Sequence, residues 1–248
     1  MISRRRFIAT GASGLLLGGC DKLDHSPAFR GVLGSAEHLT MDAQRLVGGR
    51  NSLAREFSEA DLSPFFRSNG TAMPGTSEYA QHLAQNFANW RLSVAGLVAR
   101  PLAIPIQTIR SLPHRTQITR HDCVEGWSAI GKWHGVQLSR ILDAAGLSTR
   151  AKYIVFHCAD RFGDTPYYES IDLVDAFHPQ TILAWGMNNQ LLAVPHGAPL
   201  RLRVERQLGY KQAKYVHSIE AVERLARIGG GKGGYWEDNA DYEWYAGI

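Results

Sequence analysis

The chain has 248 residues, 44% of them apolar and 20% charged, an ordinary globular balance with material for a buried core and no signature of disorder. Its formal net charge is +4, but Arg4, Arg5 and Arg6 fall in a segment that reads as removable; without them 24 basic residues face 23 acidic ones. A near-neutral mature chain excludes nucleic-acid binding driven by bulk positive charge, so no nucleic acid is expected as a partner.

Residues 1–19 read as an export signal. SRRRFIATGASGLLLGGC joins a basic start, an apolar run too short to span a bilayer, and small residues before Cys20. Arg4-Arg5 followed by Arg6-Phe7-Ile8 resembles the twin-arginine export motif, a route that carries folded cargo; a periplasmic location is expected. Leu17-Gly18-Gly19-Cys20 resembles a lipobox, so lipidation at Cys20 is one expectation and a simple cleaved signal the other. Residues 20–60 read as a linker or N-terminal arm, and 61–248 as the main domain.

Within that domain, Ser63 to Gly70 is turn-rich and predicts a loop. Ser77 is expected to cap a helix through about Asn86, with Ala80, Leu83, Ala84 and Phe87 on one face. Trp90 to Val94 alternates and predicts a strand. Leu138, Ile141, Leu142 and Ala145 form a helical stripe ended by Gly146. AKYIVFHC, 151–158, is an apolar run of strand length, expected to be buried on both faces. Ile171 to Phe177 predicts a short helix stopped before Pro179. Leu200, Leu202 and Val204 alternate with Arg201, Arg203 and Glu205, predicting a half-buried strand with a charged face. The chain continues through a glycine run at 229–234 into the aromatic and acidic YWEDNADYEWYAGI. Short strands mixed with short helices predict an α+β fold with mixed or antiparallel sheets.

The chemistry centres on Cys123, in HDCVEGWSAIGKWHGVQL. It could pair with Cys158 in an oxidising compartment, or both could share a site unbonded. A thiolate suits a transition metal. His121, Cys123, His157 and Cys158 supply zinc-type donors, but the spacing is wrong and adjacent strand residues diverge. A Cys–His nucleophile and a merely buried thiol are the other readings of the residues alone.

Two blocks bring a family into view. Cys123-Val124-Glu125-Gly126-Trp127-Ser128, Trp133-His134-Gly135-Val136 and Leu138-x-x-Ile141-Leu142 form the first. His196-Gly197-Ala198-Pro199-Leu200-Arg201-Leu202-Arg203-Val204 with Leu208-Gly209-Tyr210-Lys211-Gln212-Ala213-Lys214 forms the second. Together they resemble the sulfite-oxidase-fold molybdopterin-dependent oxidoreductases, nearest the branch of bacterial protein-methionine-sulfoxide reductase catalytic subunits, over roughly residues 60–248. The resemblance implies one molybdenum on one pyranopterin, with Cys123 as metal ligand and catalytic residue. It implies cofactor contacts from Asn69, Cys158, His196, Arg201, Gln212, Ala213 and Lys214. Arg201 and Lys214 suit a pterin phosphate, a fork and a point charge, and the Gly209 turn could present N–H groups to it.

The sulfite-oxidising branch carries a Cys-x-Gly-Asn-Arg pattern that helps seat its dianion. Here Glu125, Gly126 and Trp127 follow Cys123, which favours a reductase-like, oxygen-atom-transfer reaction over sulfite oxidation. Cys158 and His196 stand where the reductase branch typically has Thr and Asn. Trp127, Trp133 and His134 are candidates for the substrate mouth or for packing. A non-catalytic exported binding lipoprotein is the competing class. The chain has three cysteines and no C-x-x-C-H, so a separate haem-containing, membrane-bound electron-transfer protein is the expected partner. The expected substrate is a small-molecule or protein-side-chain oxide.

Overall fold

The computed structural model describes residues 26–49 and 51–248. The segment read as an export signal, with Cys20, lies outside the described residues. A first helix, α1 (Pro27–Gly48), starts with proline in its opening turn and ends at Gly49, whose φ is 77°, a pairing that matches the preference of helix starts and stops. It forms a unit of its own, separate from residues 50–248. Among the described residues no helix is long and apolar enough to cross a membrane.

The body is built on two five-stranded sheets. One holds β1 (Arg91–Gly96), β2 (Leu102–Pro105), β5 (Tyr153–Phe162), β6 (Thr165–Asp172) and β10 (Val216–Val222), in the order β2-β1-β10-β5-β6. Its β1–β10 pair is parallel and the other pairs antiparallel, so the sheet is mixed. The other sheet holds β3 (His114–Cys123), β4 (Trp127–Gln137), β7 (Ile182–Met187), β8 (Gln190–Leu191) and, against β7, β9 (Arg201–Arg203). Five short helices serve these sheets: α2 (Ser77–Ala84), α3 (Ile106–Ser111), α4 (Leu138–Ala145), α5 (Leu173–Ala176) and α6 (Tyr235–Ala240). The α+β expectation therefore holds.

The apolar stripe of α4 is fully covered and Gly146 closes it at φ 69°; the left-handed cap is glycine's ordinary role. Strand β1 buries Leu92 and Val94 and exposes Arg91 and Ser93. In β5, Ile154, Val155 and Phe156 are all fully buried, as a strand covered on both faces requires.

Five expectations are corrected. Thr76, not Ser77, caps α2, accepting from the Tyr79 N–H at 3.3 Å. Tyr79 and Phe87 are the buried residues there, whereas Ala80 and Ala84 are exposed, because the tyrosine's larger apolar area decides the face. The helix expected over 171–177 shrinks to α5, since Ile171 pairs with Ile154 in the sheet and Asp172 caps the turn. The chain joins the body ahead of residue 61: Phe57 N donates to Ile118 O at 2.9 Å and Ala54 N to Gln180 Oε1 at 2.8 Å, so this stretch of the expected arm edges β3. Finally, the charged face of β9 is not half-buried. Arg201, Arg203 and Glu205 are as hidden as the leucines between them.

Candidate cofactor cleft and active site

Strands β3 and β4 form one hairpin, in register from His114↔Val136 to Cys123↔Trp127. Its turn closes with Gly126 N donating to Cys123 O at 3.0 Å, and Gly126 takes φ 84°, a conformation costly for other residues. The turn sets Cys123 at the strand's end, buried, on the wall of a cleft. Burial, then the Glu125 carboxylate, push its thiol up. A thiol so placed is a poor free nucleophile.

The inward face of β3 is polar: Gln117, Thr119 and His121 are buried in line with Cys123. Polar rows inside a protein need partners, and most are found along β9. Arg203 meets Glu205 through two bonds, Nε to Oε1 at 2.9 Å and Nη2 to Oε2 at 2.6 Å. Gln117 Nε2 also donates to Glu205 Oε1, at 2.8 Å. Arg203 Nη1 lies 3.0 Å from His121 Nδ1, which therefore accepts. Burial, then Arg203 and Arg201, hold His121 well below the usual histidine range. It stays neutral, and its Nε2, facing the Gln212 side chain, makes no hydrogen bond of normal length.

Across the cleft stand Asp160 and Phe162 of β5, Tyr167 of β6, the 69–71 loop, and the 209–214 turn. Asp160 is 3% exposed, its Oδ1 has no partner, and burial pushes it up to about 6. Lys214 Nζ donates to Asn69 O at 2.6 Å, to Pro195 O at 2.9 Å and to Thr71 O. Burial, then Arg201, bring Lys214 down to about 7. Arg201 is fully buried beneath the cleft. It donates to His196 O at 3.0 Å, sits 5.1 Å from the Trp133 ring, and leaves Nε without a partner. Burial, then Arg203, lower it to about 9. Burial, then Arg201 and Lys214, bring His196 down to about 4, with Nδ1 unpartnered.

Not every expected site residue lines this cleft; His196 and Cys158 do not. Cys123, Asn69, Gln212 and Lys214 line the cleft directly. Ala213 and Arg201 are buried beside it, and Arg201 reaches toward Gln212 O. Cys158 precedes Asp160 by two residues on β5 and borders a second cavity with Tyr79, His82 and His217. Lys214, like Arg201, is engaged by backbone oxygens. Cys123 and Cys158 are both free thiols, so the disulfide alternative falls. Zinc falls too, since among the described residues no three His, Cys, Asp or Glu side chains converge as ligands. Trp133 packs under both arginines, Trp127 donates to Glu125 Oε2 at 2.9 Å, and His134 stacks on Trp185 away from the cleft. Sequence reasoning did not single out Asp160, Phe162 or Trp236 as site residues. The acid in AKYIVFHCAD, two residues beyond an apolar strand and in phase with Cys158, was the available signal.

A pterin phosphate can be tested against these residues. Arg201 is a buried cation whose nearest acid, Glu205, already serves Arg203. Arg201 Nε, His121 Nε2 and His196 Nδ1 are buried nitrogens without a hydrogen-bond partner, and Lys214 lies on the cleft beside them. Burying a guanidinium without an anion costs several kcal/mol. An anionic group carrying acceptors fits.

Comparison with known proteins agrees. The profile of a family described as oxidoreductase molybdopterin binding domain matches residues 79–227. The putative protein-methionine-sulfoxide reductase subunit YedZ1 of Azospira oryzae is 42% identical over 64% of this chain and 56% of its own length. The protein-methionine-sulfoxide reductase catalytic subunit MsrP of Campylobacter jejuni is 32% identical over 68% of this chain and 60% of its own. The chain therefore spans less than two thirds of either relative. The crystal structure of the sulfane dehydrogenase SoxCD from Paracoccus pantotrophus aligns with a TM-score of 0.51 at 22% identity, covering 55% of this chain and 39% of that one; that likeness is one of fold.

Proposed function

The chain belongs to the oxidoreductase molybdopterin binding domain family, and on that premise we propose that it reduces a sulfoxide by oxygen-atom transfer, the oxide being carried on a methionine side chain or a small molecule. The names of the two relatives support the substrate class. The observation that carries the reading is the fully buried Arg201, whose Nε lacks a partner, beside a cleft that Lys214 and the buried thiol of Cys123 line together.

One molybdenum on one pyranopterin would be held by Cys123 at the metal, with Arg201, Lys214, His196, Gln212, Ala213, Asn69 and Cys158 around the pterin. When bound, that group supplies the two-electron couple and the acceptor for oxygen. The chain's own residues do the rest. Reducing a sulfoxide to a thioether and water takes two electrons and two protons, and Asp160, raised to about 6, is a cleft carboxylate that can take up and pass on one of those protons while staying mostly ionised at neutral pH. Glu125 and Asp160 face the same space as Cys123, so a sulfite dianion meets carboxylates there, which argues against sulfite oxidation.

Electrons come from a separate haem-containing partner at the membrane, since three cysteines without a C-x-x-C-H motif offer no covalent haem or iron–sulfur site. Export by the twin-arginine route to the periplasm, with Cys20 as a candidate lipid anchor, completes the reading. It is tested by elemental analysis and pterin fluorescence of protein from a cofactor-competent host. Wild-type protein is expected to carry about one molybdenum per chain, and Cys123→Ser to lose the metal and turnover together. Full molybdenum content and turnover in Cys123→Ser would overturn the assignment.

A further inference from the structure

The family profile ends at residue 227, yet the far wall of the cleft is built by residues C-terminal to that point. Trp236, on α6, and Tyr242, beyond it, both line the cleft with Cys123. Their rings stack at 5.9 Å and 26°. Phe162 meets Trp236 edge-on at 5.1 Å, and Tyr210 meets Tyr242 at 5.0 Å. Tyr167 continues the surface inward. Tyr242 is 36% exposed, so the wall runs from solvent to the interior.

The wall is fixed in place. Glu237, next to Trp236, accepts from Lys211 Nζ at 2.6 Å, and Lys211 also meets Glu169; all three side chains are fully buried. Leu208 N donates to Ala246 O at 2.9 Å, and Ile248 N to Arg206 O at 3.0 Å. Tyr210 Oη donates to Glu243 O at 2.6 Å. The 208–211 turn that clamps this segment thus leads directly into Gln212 and Lys214 on the cleft.

We propose that Trp236 and Tyr242 are specificity-determining residues: they form an aromatic wall that receives the neutral, sulfur-bearing group of the substrate, while Glu125 and Asp160 turn anions away. The inference rests on the sulfoxide-reductase reading and adds to it the residues that select the substrate. A sulfinyl sulfur carries partial positive charge, and the electron-rich faces of Trp and Tyr attract it together with the apolar groups it bears; a rigid wall adds no ordering cost on binding.

The test uses molybdenum-loaded protein with N-acetylmethionine sulfoxide amide as probe and sulfite as the anionic control. Molybdenum and pterin content are measured for each variant, then Kd by calorimetry and kinetics. Trp236→Ala is expected to keep its metal and to weaken Kd and raise KM for the sulfoxide about tenfold, with Tyr242→Ala smaller. The loss falls on KM more than kcat, and Trp236→Phe restores binding. If Trp236→Ala does not fold, Trp236→Leu, which keeps apolar volume without a ring, is compared with Trp236→Phe. Metal-loaded Trp236→Ala or Trp236→Leu that binds the sulfoxide within about twofold of wild type overturns the proposal, since the lost ring contacts should exceed that; so does sulfite binding as tightly as the sulfoxide. Wild-type protein without molybdenum would instead sink the reading beneath, and this one with it.

Discussion

Arg201 and Arg203 sit two residues apart on β9, both fully hidden, both over the Trp133 ring, at 5.1 Å and 4.2 Å. Arg203 has a carboxylate within 2.6 Å and a histidine to donate to. Arg201 has carbonyl oxygens and an idle Nε. The nearby turn repeats the contrast. Lys211 lies between Glu169 and Glu237, which outweigh its burial and raise its pKa, whereas Lys214 is lowered to about 7. Lys211 and Arg203 meet acids at hydrogen-bond distance, whereas Arg201 and Lys214 meet carbonyl oxygens there; on the proposed reading, a separate anion completes the second pair.

The sharpest way to break this contrast is to remove each cation in turn. Arg203→Met strands Glu205 in the interior, and cofactor-free protein should lose roughly 3–5 kcal/mol in urea unfolding. Lys211→Met strands two acids and should cost a similar ~3–5 kcal/mol. Arg201→Met removes an unpartnered charge at the loss of one good hydrogen bond, so cofactor-free stability should stay within about 1 kcal/mol of wild type. Its effect appears instead as lost pterin fluorescence after gel filtration. Equal destabilisation by Arg201→Met and Arg203→Met would erase the distinction.

Acid and base sharpen it next. Lys214's folded pKa of about 7 lies below its ordinary 10.5, so between those values the unfolded chain binds more protons than the folded one. Cofactor-free stability, taken relative to Lys214→Met, should therefore rise as pH climbs from about 7 toward 10, by at most ~1.4 kcal/mol per pH unit. The penalty is fully present below about 7. Lys211 has the opposite sign. Its folded pKa is raised, so its contribution is whole below 10.5 and is lost as pH rises through the higher folded value. A bound phosphate should raise Lys214 and flatten its slope, which unfolding curves with and without the cofactor would register.

How much of this could be read from residues alone depends on the same contrast. The α4 stripe, β1 and the apolar core of β5 were legible because apolar periodicity reports burial directly. The Cys123 and Arg201 blocks were legible as a family pattern. That the charged face of β9 lies inside was not: LRLRVE alternates as a half-exposed strand would, and only the polar face of β3 opposite, with Gln117 and His121, makes burial tolerable. Nor could Asp160 and Trp236 be joined, since they lie 76 residues apart and meet only when the tail folds back over the cleft.

An effect smaller than that of stranding an acid comes from Gly209, which lies between the cleft and the buried His121. A Cβ on this residue would lie 2.5 Å from His121 Nε2 and 2.7 Å from Cε1. The imidazole cannot retreat, because its Nδ1 is held by Arg203. The 209–211 turn must move instead, and Asn69 Nδ2, which reaches Gly209 O at 3.4 Å, moves with it. Gly209→Ala should therefore cost about 1–3 kcal/mol as overpacking does, and it should lower pterin retention by shifting the turn and Asn69 that line the cleft. Gly209→Ala combined with His121→Ala frees the space and should recover part of the stability, as a double-mutant cycle would show. Strict additivity of the two changes would mean that the turn is placed by its own backbone and not by the buried histidine.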